Sequence, residues 1–157
     1  MAIGDMFLRV ETARQGALKG EAADVKHASE IDVVAWSWGM RAQTGMSAAG
    51  DASKATLNEL NIVKRVDSAS TALMATMRNN ELIKKATLTV RKAGHQPLEY
   101  FRITIQNARI TLLELNTAEA ELTERLSFAF KKINAEYVPQ GADGQGRGSM
   151  SFETEIT

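Results

Sequence analysis

Cysteine is absent from this 157-residue chain, which excludes disulfides, thiolate nucleophiles and cysteine-ligated zinc. An excess of charge of either sign is also lacking, since 19 Lys plus Arg balance 19 Asp plus Glu. No basic block stands out to track a phosphate backbone, so no nucleic-acid partner is expected. Nothing approaches the ~20 apolar residues of a membrane-spanning helix, and no membrane insertion is expected. The start, Met1-Ala2-Ile3-Gly4-Asp5-Met6, has neither the basic n-region nor the apolar h-region of a secretory signal. The expectation is a chain made and folded in the cytoplasm, which would leave the cell only without a cleavable signal peptide.

Groups for catalysis are equally scarce. His27 and His95 are the only side chains whose ordinary titration falls near neutrality. Asp24-x-x-His27 supplies two metal ligands without an evident third, and a site needs more. Ser37, His27 and Asp32 lack a glycine-flanked nucleophile elbow and show no mutual geometry. No glycine-rich phosphate loop ends in Lys-Ser or Lys-Thr. Glu119 and Glu121 read as solvated surface rather than a glycosidase pair. No catalytic residue, metal or cofactor is therefore expected, and the chain does not read as an enzyme.

What is present is an ordinary core. Hydrophobic residues make up 44% and charged ones 24%, which suits one packed domain at this length. Glu30-Ile31-Asp32-Val33-Val34-Ala35-Trp36-Ser37-Trp38-Gly39 carries both tryptophans around one serine. In an extended chain Trp36 and Trp38 share one face and Ser37 takes the other. Residues 6–10 have the content of a short strand, and Gly16 and Gly20 punctuate turns after it. Residues 43–54 are small and polar without period and read as an exposed loop. Residues 56–66 read as a strand with Leu60, Ile62 and Lys64 on one face. Asp67, Ser68 and Ser70 offer N-cap side chains to a helix carrying Leu73, Met74 and Met77, over about Ser70 to Arg78.

Alternation then resumes: Leu88 and Val90 in one segment, Phe101, Ile103 and Ile105 in the next, with Gly94 and Pro97 turning between them. Residues 109–115 continue as strand, although Leu112-Leu113 blurs the faces. In 118–138, Leu122, Leu126, Phe130 and Ile133 fall at helical spacing among strong helix formers. Leu126, Phe128 and Phe130 also alternate, as do Ile133, Ala135 and Tyr137, with parity switching at Lys131-Lys132 as a β-bulge would make it. After Pro139, Gly141, Gly144, Gly146 and Gly148 open a tail without apolar period, in which Phe152 and Ile156 hint at pairing or packing. The expected architecture is mainly β: a small antiparallel barrel of two curved sheets with one short helix over 1–140, and a flexible tail over 141–157. Trp36, Trp38, Leu88, Val90, Phe101, Ile103, Ile105, Phe128, Phe130 and Tyr137 are the expected core.

A set of separated motifs carries a resemblance. Lys19-Gly20-Glu21, Asp24, His27, Glu30-Ile31-Asp32-Val33 and Trp36-Ser37-Trp38-Gly39 come first, followed by Leu88-Thr89-Val90-Arg91-Lys92-Ala93-Gly94, Glu99-Tyr100 and Tyr137-Val138-Pro139-Gln140. In this order they span nearly the whole chain, which resembles the haemolysin-coregulated protein (Hcp) family, the tube protein of type VI secretion systems. The resemblance also favours the strand reading of 118–138. It implies a homo-hexameric ring, rings stacked into a hollow tube inside a contractile sheath, a spike of valine-glycine repeat protein, and effector proteins carried in the lumen and exported by the type VI route. Closed head-to-tail symmetry needs two different complementary patches on each subunit. Ser37, opposite the tryptophans, is the lumen-facing candidate. Arg91 and Lys92 are expected near a subunit or ring boundary, with Glu21, Asp24 and Glu30 as charge partners whose pairing the sequence does not assign, and His27 is a further contact candidate there. Gly45, Ser47, Gly50 and Asp51, in the 43–54 loop, are candidates for contact between rings. The chain departs from the family's usual glycine-rich loops at 47–52 and 116–121. Two other classes stay open: a monomeric β-sandwich binding module, and a small hydrolase that would need a histidine in a pocket.

Overall fold

The computed structural model describes residues 4–42, 55–92, 98–140 and 148–156. Its strands are β1 (Gly4–Thr12), β2 (Gly16–Ala17), β3 (Ile31–Ser37), β4 (Met40–Arg41), β5 (Thr56–Leu57) and β6 (Leu60–Arg65). The helix α1 (Ser70–Arg78) follows, then β7 (Ile83–Lys92), β8 (Glu99–Ala118), β9 (Glu121–Ala129), β10 (Lys132–Tyr137) and β11 (Met150–Glu155). The order β8-β7-β1-β3-β6-β9 closes through a β9–β8 ladder into an antiparallel barrel of six strands. That closure distinguishes the fold from an open sandwich. β10 and β11 extend the sheet beyond β8, β2 pairs with β1, and β4 and β5 form a separate small ribbon.

One long strand makes the closure possible. β8 pairs with β7 and β10 through its first half and with β9 through its second. Asn107, at φ 51, marks the corner between the halves, a backbone state that asparagine tolerates better than most residues. The expected segments around 101–106 and 109–115 are thus one strand turning from one sheet to the other. A register shift between Ile110 and Leu112 explains the blurred alternation at Leu112-Leu113. The 118–138 segment is extended, as its alternation allowed. At Lys131-Lys132, however, stands a break rather than a bulge: β9 and β10 both pair with β8, Ala129 opposite Arg109 and Lys132 opposite Gln106 in one continuous register, and the break falls at the Asn107 corner.

The inward faces of the strands make a continuous core. Leu8, Ile31, Ile62, Leu88, Ile103, Ile105, Phe128 and Ile133 are fully buried, and Val90 and Phe130 nearly so. Burial of such side chains contributes roughly 1.5–3 kcal/mol each. Trp36, Trp38 and Phe101 pack against this core without being enclosed by it. β3 shifts register between Val33 and Ala35, and beyond that point Trp36 stacks on Phe101 at 5.7 Å. The Trp38 indole N–H donates to the Asn58 carbonyl at 2.9 Å, keeping its polar edge satisfied near the surface. Tyr137 corrects the expectation outright: it is 43% exposed, at the last position of β10, a strand outside the closed six-strand ladder whose Ile133 is fully buried.

α1 occupies the expected span and packs Leu73 into the core, with Met74 and Met77 half-buried. Its capping differs from expectation. The N-cap is Ala69 with no side-chain cap bond, while Asp67 Oδ1 accepts from the Ala69 N–H and Ser70 Oγ from the Asp67 N–H. Ser70 turns inward because it belongs to a buried polar cluster. Lys64, on the inward face of β6, places Nζ 2.6 Å from Glu124 Oε1, 2.9 Å from Asp67 Oδ1 and 3.0 Å from Ser70 Oγ. Three acceptors match the three donors of an ammonium group. The cluster ties the start of α1 to β6 and β9.

The tail also differs. β11 pairs with β10 along its whole length, from Lys132↔Glu155 to Tyr137↔Met150, so residues 150–155 belong to the sheet. The expected boundary at 140 therefore does not separate them from the barrel fold.

Candidate assembly surface

Asp24, His27, Glu30, Arg91 and Glu99 of the motifs come together where β7 ends and β8 begins. Between β2 and β3 the chain runs as a loop from 18 to 30, folded on itself by backbone bonds from Gly20 N–H to Ser29 O, from Ala22 N–H to Glu30 O and from Ser29 N–H to Ala22 O. Gly20 is required sterically, since a Cβ there would lie 2.5 Å from the Glu30 carbonyl oxygen. Side chains then fasten the loop. The Arg91 guanidinium donates to both carboxylate oxygens of Asp24, at 2.7 and 3.1 Å, and to Asp5 at 2.7 Å. Chiefly through the hydrogen bond from Arg91, and against the opposing effect of burial, the Asp24 carboxyl is held down to about 2. The same two carboxylates raise the Arg91 guanidinium above its ordinary value.

His27 is buried beside this pair. Its ring stacks on Phe7 with centroids 4.4 Å apart, and Arg91 lies 5.2 Å from the centroid of the same phenyl ring. Nδ1 lies 3.0 Å from Glu30 Oε1 and Nε2 2.7 Å from Glu99 Oε2. Glu99 also accepts from Arg102. Burial pushes the Glu99 carboxyl up, but His27 and Arg102 together outweigh it and hold the group below its usual range.

Glu21, Asp24, His27, Glu30 and Arg91 thus have partners inside their own chain, Glu21 Oε2 accepting from the Ser68 N–H at 2.7 Å. Arg91, whose partner among these carboxylates the sequence left unassigned, pairs with Asp24 of its own chain. Lys92 is exposed, reaches Gln140 at 3.2 Å and lies over the Tyr100 ring. Glu99 and Asp5 were missed as partners, although Glu99 stands in a motif and Asp5 sits opposite Arg91 once β1 pairs with β7. Gly45, Ser47, Gly50, Asp51 and His95 lie outside the described residues.

Ser37 is exposed near the end of β3, its Oγ accepting from Asn61 Nδ2 at 3.3 Å. It has no contact with His27, which is held by carboxylates. Among the described residues no group of three or more His, Asp or Glu is placed to hold a metal. No helix among them is long and apolar enough to cross a membrane.

The remaining notable surface is apolar. Met150, Phe152 and Ile156 fall at even-numbered positions, with Thr154 between the last two, and are 65%, 44% and 47% exposed, with Tyr137 beside Met150 in the ladder. A hollow joins Phe152, Thr154 and Ile156 to Met40, Thr56 and Leu57 of the small ribbon. β11 ends its sheet, so its outer backbone edge is unpaired among the described strands. An exposed edge with apolar side chains is a ready template for association.

A closed small barrel, flanked by extra strands and with edge and rim surfaces unpaired among the described residues, belongs to the class of structural, self-associating domains. The model of the family described as "Type VI secretion system effector, Hcp" matches residues 7–137. Protein hcp1 of Pseudomonas aeruginosa is 36% identical over 149 residues, covering 92% of this chain and 89% of its own. A type VI secretion system effector from Yersinia pestis superposes with a TM-score of 0.77 at 27% identity, over 97% of this chain and 100% of the other. Hcp1 from Salmonella typhimurium gives 0.79 at 25% identity, over 99% and 96%. The chain belongs to the Hcp family. It is a secreted structural tube protein of a type VI secretion system that assembles with itself, and not an enzyme.

Proposed function

We propose that six copies of this chain close into a ring, that rings stack into a hollow tube within a contractile sheath and behind a spike, and that the lumen carries effector proteins outward. The match to the Hcp family across residues 7–137 carries this reading. The surface supports it physically. The outer edge of β11 and the Met150, Phe152, Ile156 strip offer one patch, and the rim loop with exposed Val25 and Lys26 offers a different one. Two unlike patches are what a head-to-tail ring requires. The ring's work is binding, stacking and release, without bond chemistry.

Ser37 is the proposed lumen-facing residue, and the 43–54 loop, with Gly45, Ser47, Gly50 and Asp51, the proposed contact between stacked rings. Because the chain has no cysteine, Ser37→Cys gives a single reactive thiol. In assembled material the thiol should react with a small maleimide but only slowly with one carrying a polymer too large for the lumen, and dissociation should abolish the difference. Equal reactivity toward both reagents in assembled rings would place Ser37 outside.

A further inference from the structure

Both nitrogens of His27 face carboxylates, Glu30 on Nδ1 and Glu99 on Nε2. An ionised carboxylate only accepts, and a neutral imidazole has one donor and one bare acceptor. The two contacts are satisfied together only when the ring carries both protons. We propose that His27, as an imidazolium bridging Glu30 and Glu99, is a pH-released latch that holds the 18–30 loop closed on the barrel rim.

The surroundings favour the cation. Glu30 faces the ring from the end of the loop and Glu99 from the start of β8, while β1 contributes the Phe7 face. From β7, Arg91 sits over the same phenyl ring and is itself bound by Asp24 and Asp5, and Arg102 on β8 binds Glu99. Glu136 on β10 also accepts from Arg102, at 3.2 Å, so these contacts gather five carboxylates against two guanidinium groups and the local balance is negative with or without His27. Lys26, next in the chain, is exposed and adds a further charge on the solvent side.

Losing the Nε2 proton leaves a lone pair 2.7 Å from Glu99 Oε2, a repulsive contact at a buried site. The ring then leaves its place, and with it the loop from Gly20 to Glu30. The sign follows: the latch is closed while His27 holds its second proton and opens as pH rises. On the acid side it ends where Glu99 and Asp24 take up protons. What the latch controls is the displayed shape of the rim, including Val25, which is 96% exposed.

Hydrogen exchange on the full-length protein tests this. The reporters are the Gly20, Ala22, Ser29 and Glu30 amides, each bonded within the loop. After correction for intrinsic exchange, their protection should fall by about tenfold or more between pH 6 and pH 9, following release of one proton, while amides of β7 and β8 stay unchanged. Glu99→Gln supplies an amide donor to a bare Nε2, so its loop should stay protected across that range. His95→Gln should leave the wild-type response intact. Imidazole nitrogen shifts at pH 6.5 should show both His27 nitrogens protonated. Protection that does not change with pH, a Glu99→Gln variant with the wild-type fall, or a neutral His27 ring at pH 6.5 would each overturn the latch.

Discussion

Lys64 and Glu124 form a 2.6 Å ion pair inside the barrel, with both side chains fully buried and Asp67 and Ser70 completing the ammonium's partners. Glu124 Oε2 has no hydrogen-bond partner among the described residues. Such a pair is costly to break and cheap to replace. Lys64→Ala should therefore destabilise the subunit by about 3–5 kcal/mol, read from the denaturant midpoint at constant slope. The double variant Lys64→Met with Glu124→Leu should come within about 1–2 kcal/mol of the wild type or exceed it. A single variant as stable as the wild type would mean that the pair is not buried.

Gly20 is fixed by close approach. Any Cβ there meets backbone rather than a side chain that could move aside. Gly20→Ala should cost about 1–3 kcal/mol, and hydrogen exchange should show the loosening concentrated in the 18–30 loop. Loss of protection spread evenly over the barrel would argue against a local clash.

The turn between β8 and β9 offers the opposite opportunity. Glu119 and Ala120 both have positive φ, at 52 and 65, in a two-residue hairpin connection of the mirror-image kind that favours glycine. Ala120→Gly should raise stability by about 1 kcal/mol, since the left-handed state costs an L-residue roughly 1–2 kcal/mol. An unchanged or lower thermal midpoint would contradict that assignment.

Acid should release the rim. The Asp24 carboxyl is held down to about 2, from an ordinary value of 3.8, and Glu99 is also lowered. A carboxyl depressed by folding contributes stability above its unfolded value, and that contribution is lost as pH falls through the folded value. The thermal midpoint should therefore drop between about pH 4 and pH 2. Asp24→Asn should start lower at pH 6 and show a shallower drop. Parallel curves for the two proteins would remove Asp24 from the acid response.

Much of the barrel was legible in the alternation of side chains. Leu88 and Val90, then Ile103 and Ile105, revealed their inward faces by period two, whereas Leu126, Phe128 and Phe130 alternate within a segment that also has helical spacing, and there the resemblance decided for strand. Long-range pairing stayed hidden. Nothing local distinguished a bulge at Lys131-Lys132 from a strand break, because the break is set by the Asn107 corner of β8, with which both β9 and β10 pair, and by their other edges, which meet β6 and β11. Tyr137 alternates like a core residue, yet it stands at the end of a strand outside the closed barrel. The polar cluster left a trace: Lys64 shares a face with Leu60 and Ile62, and Glu124 shares one with Leu126 and Phe128. Two opposite charges on inward faces must meet once β6 pairs with β9. The rim motif residues were visible by resemblance, but their intrachain partners, Asp5, Glu99 and Ser68, come from segments far apart in sequence.

Electron microscopy of the purified protein across a concentration series, with its mass in solution measured alongside, tests the central claim most directly. The account predicts closed rings of six 17.1 kDa subunits, with end-on views showing a central hole and stacked rings appearing at high concentration. Particles of single-subunit mass at every concentration, with no annular views, would contradict it.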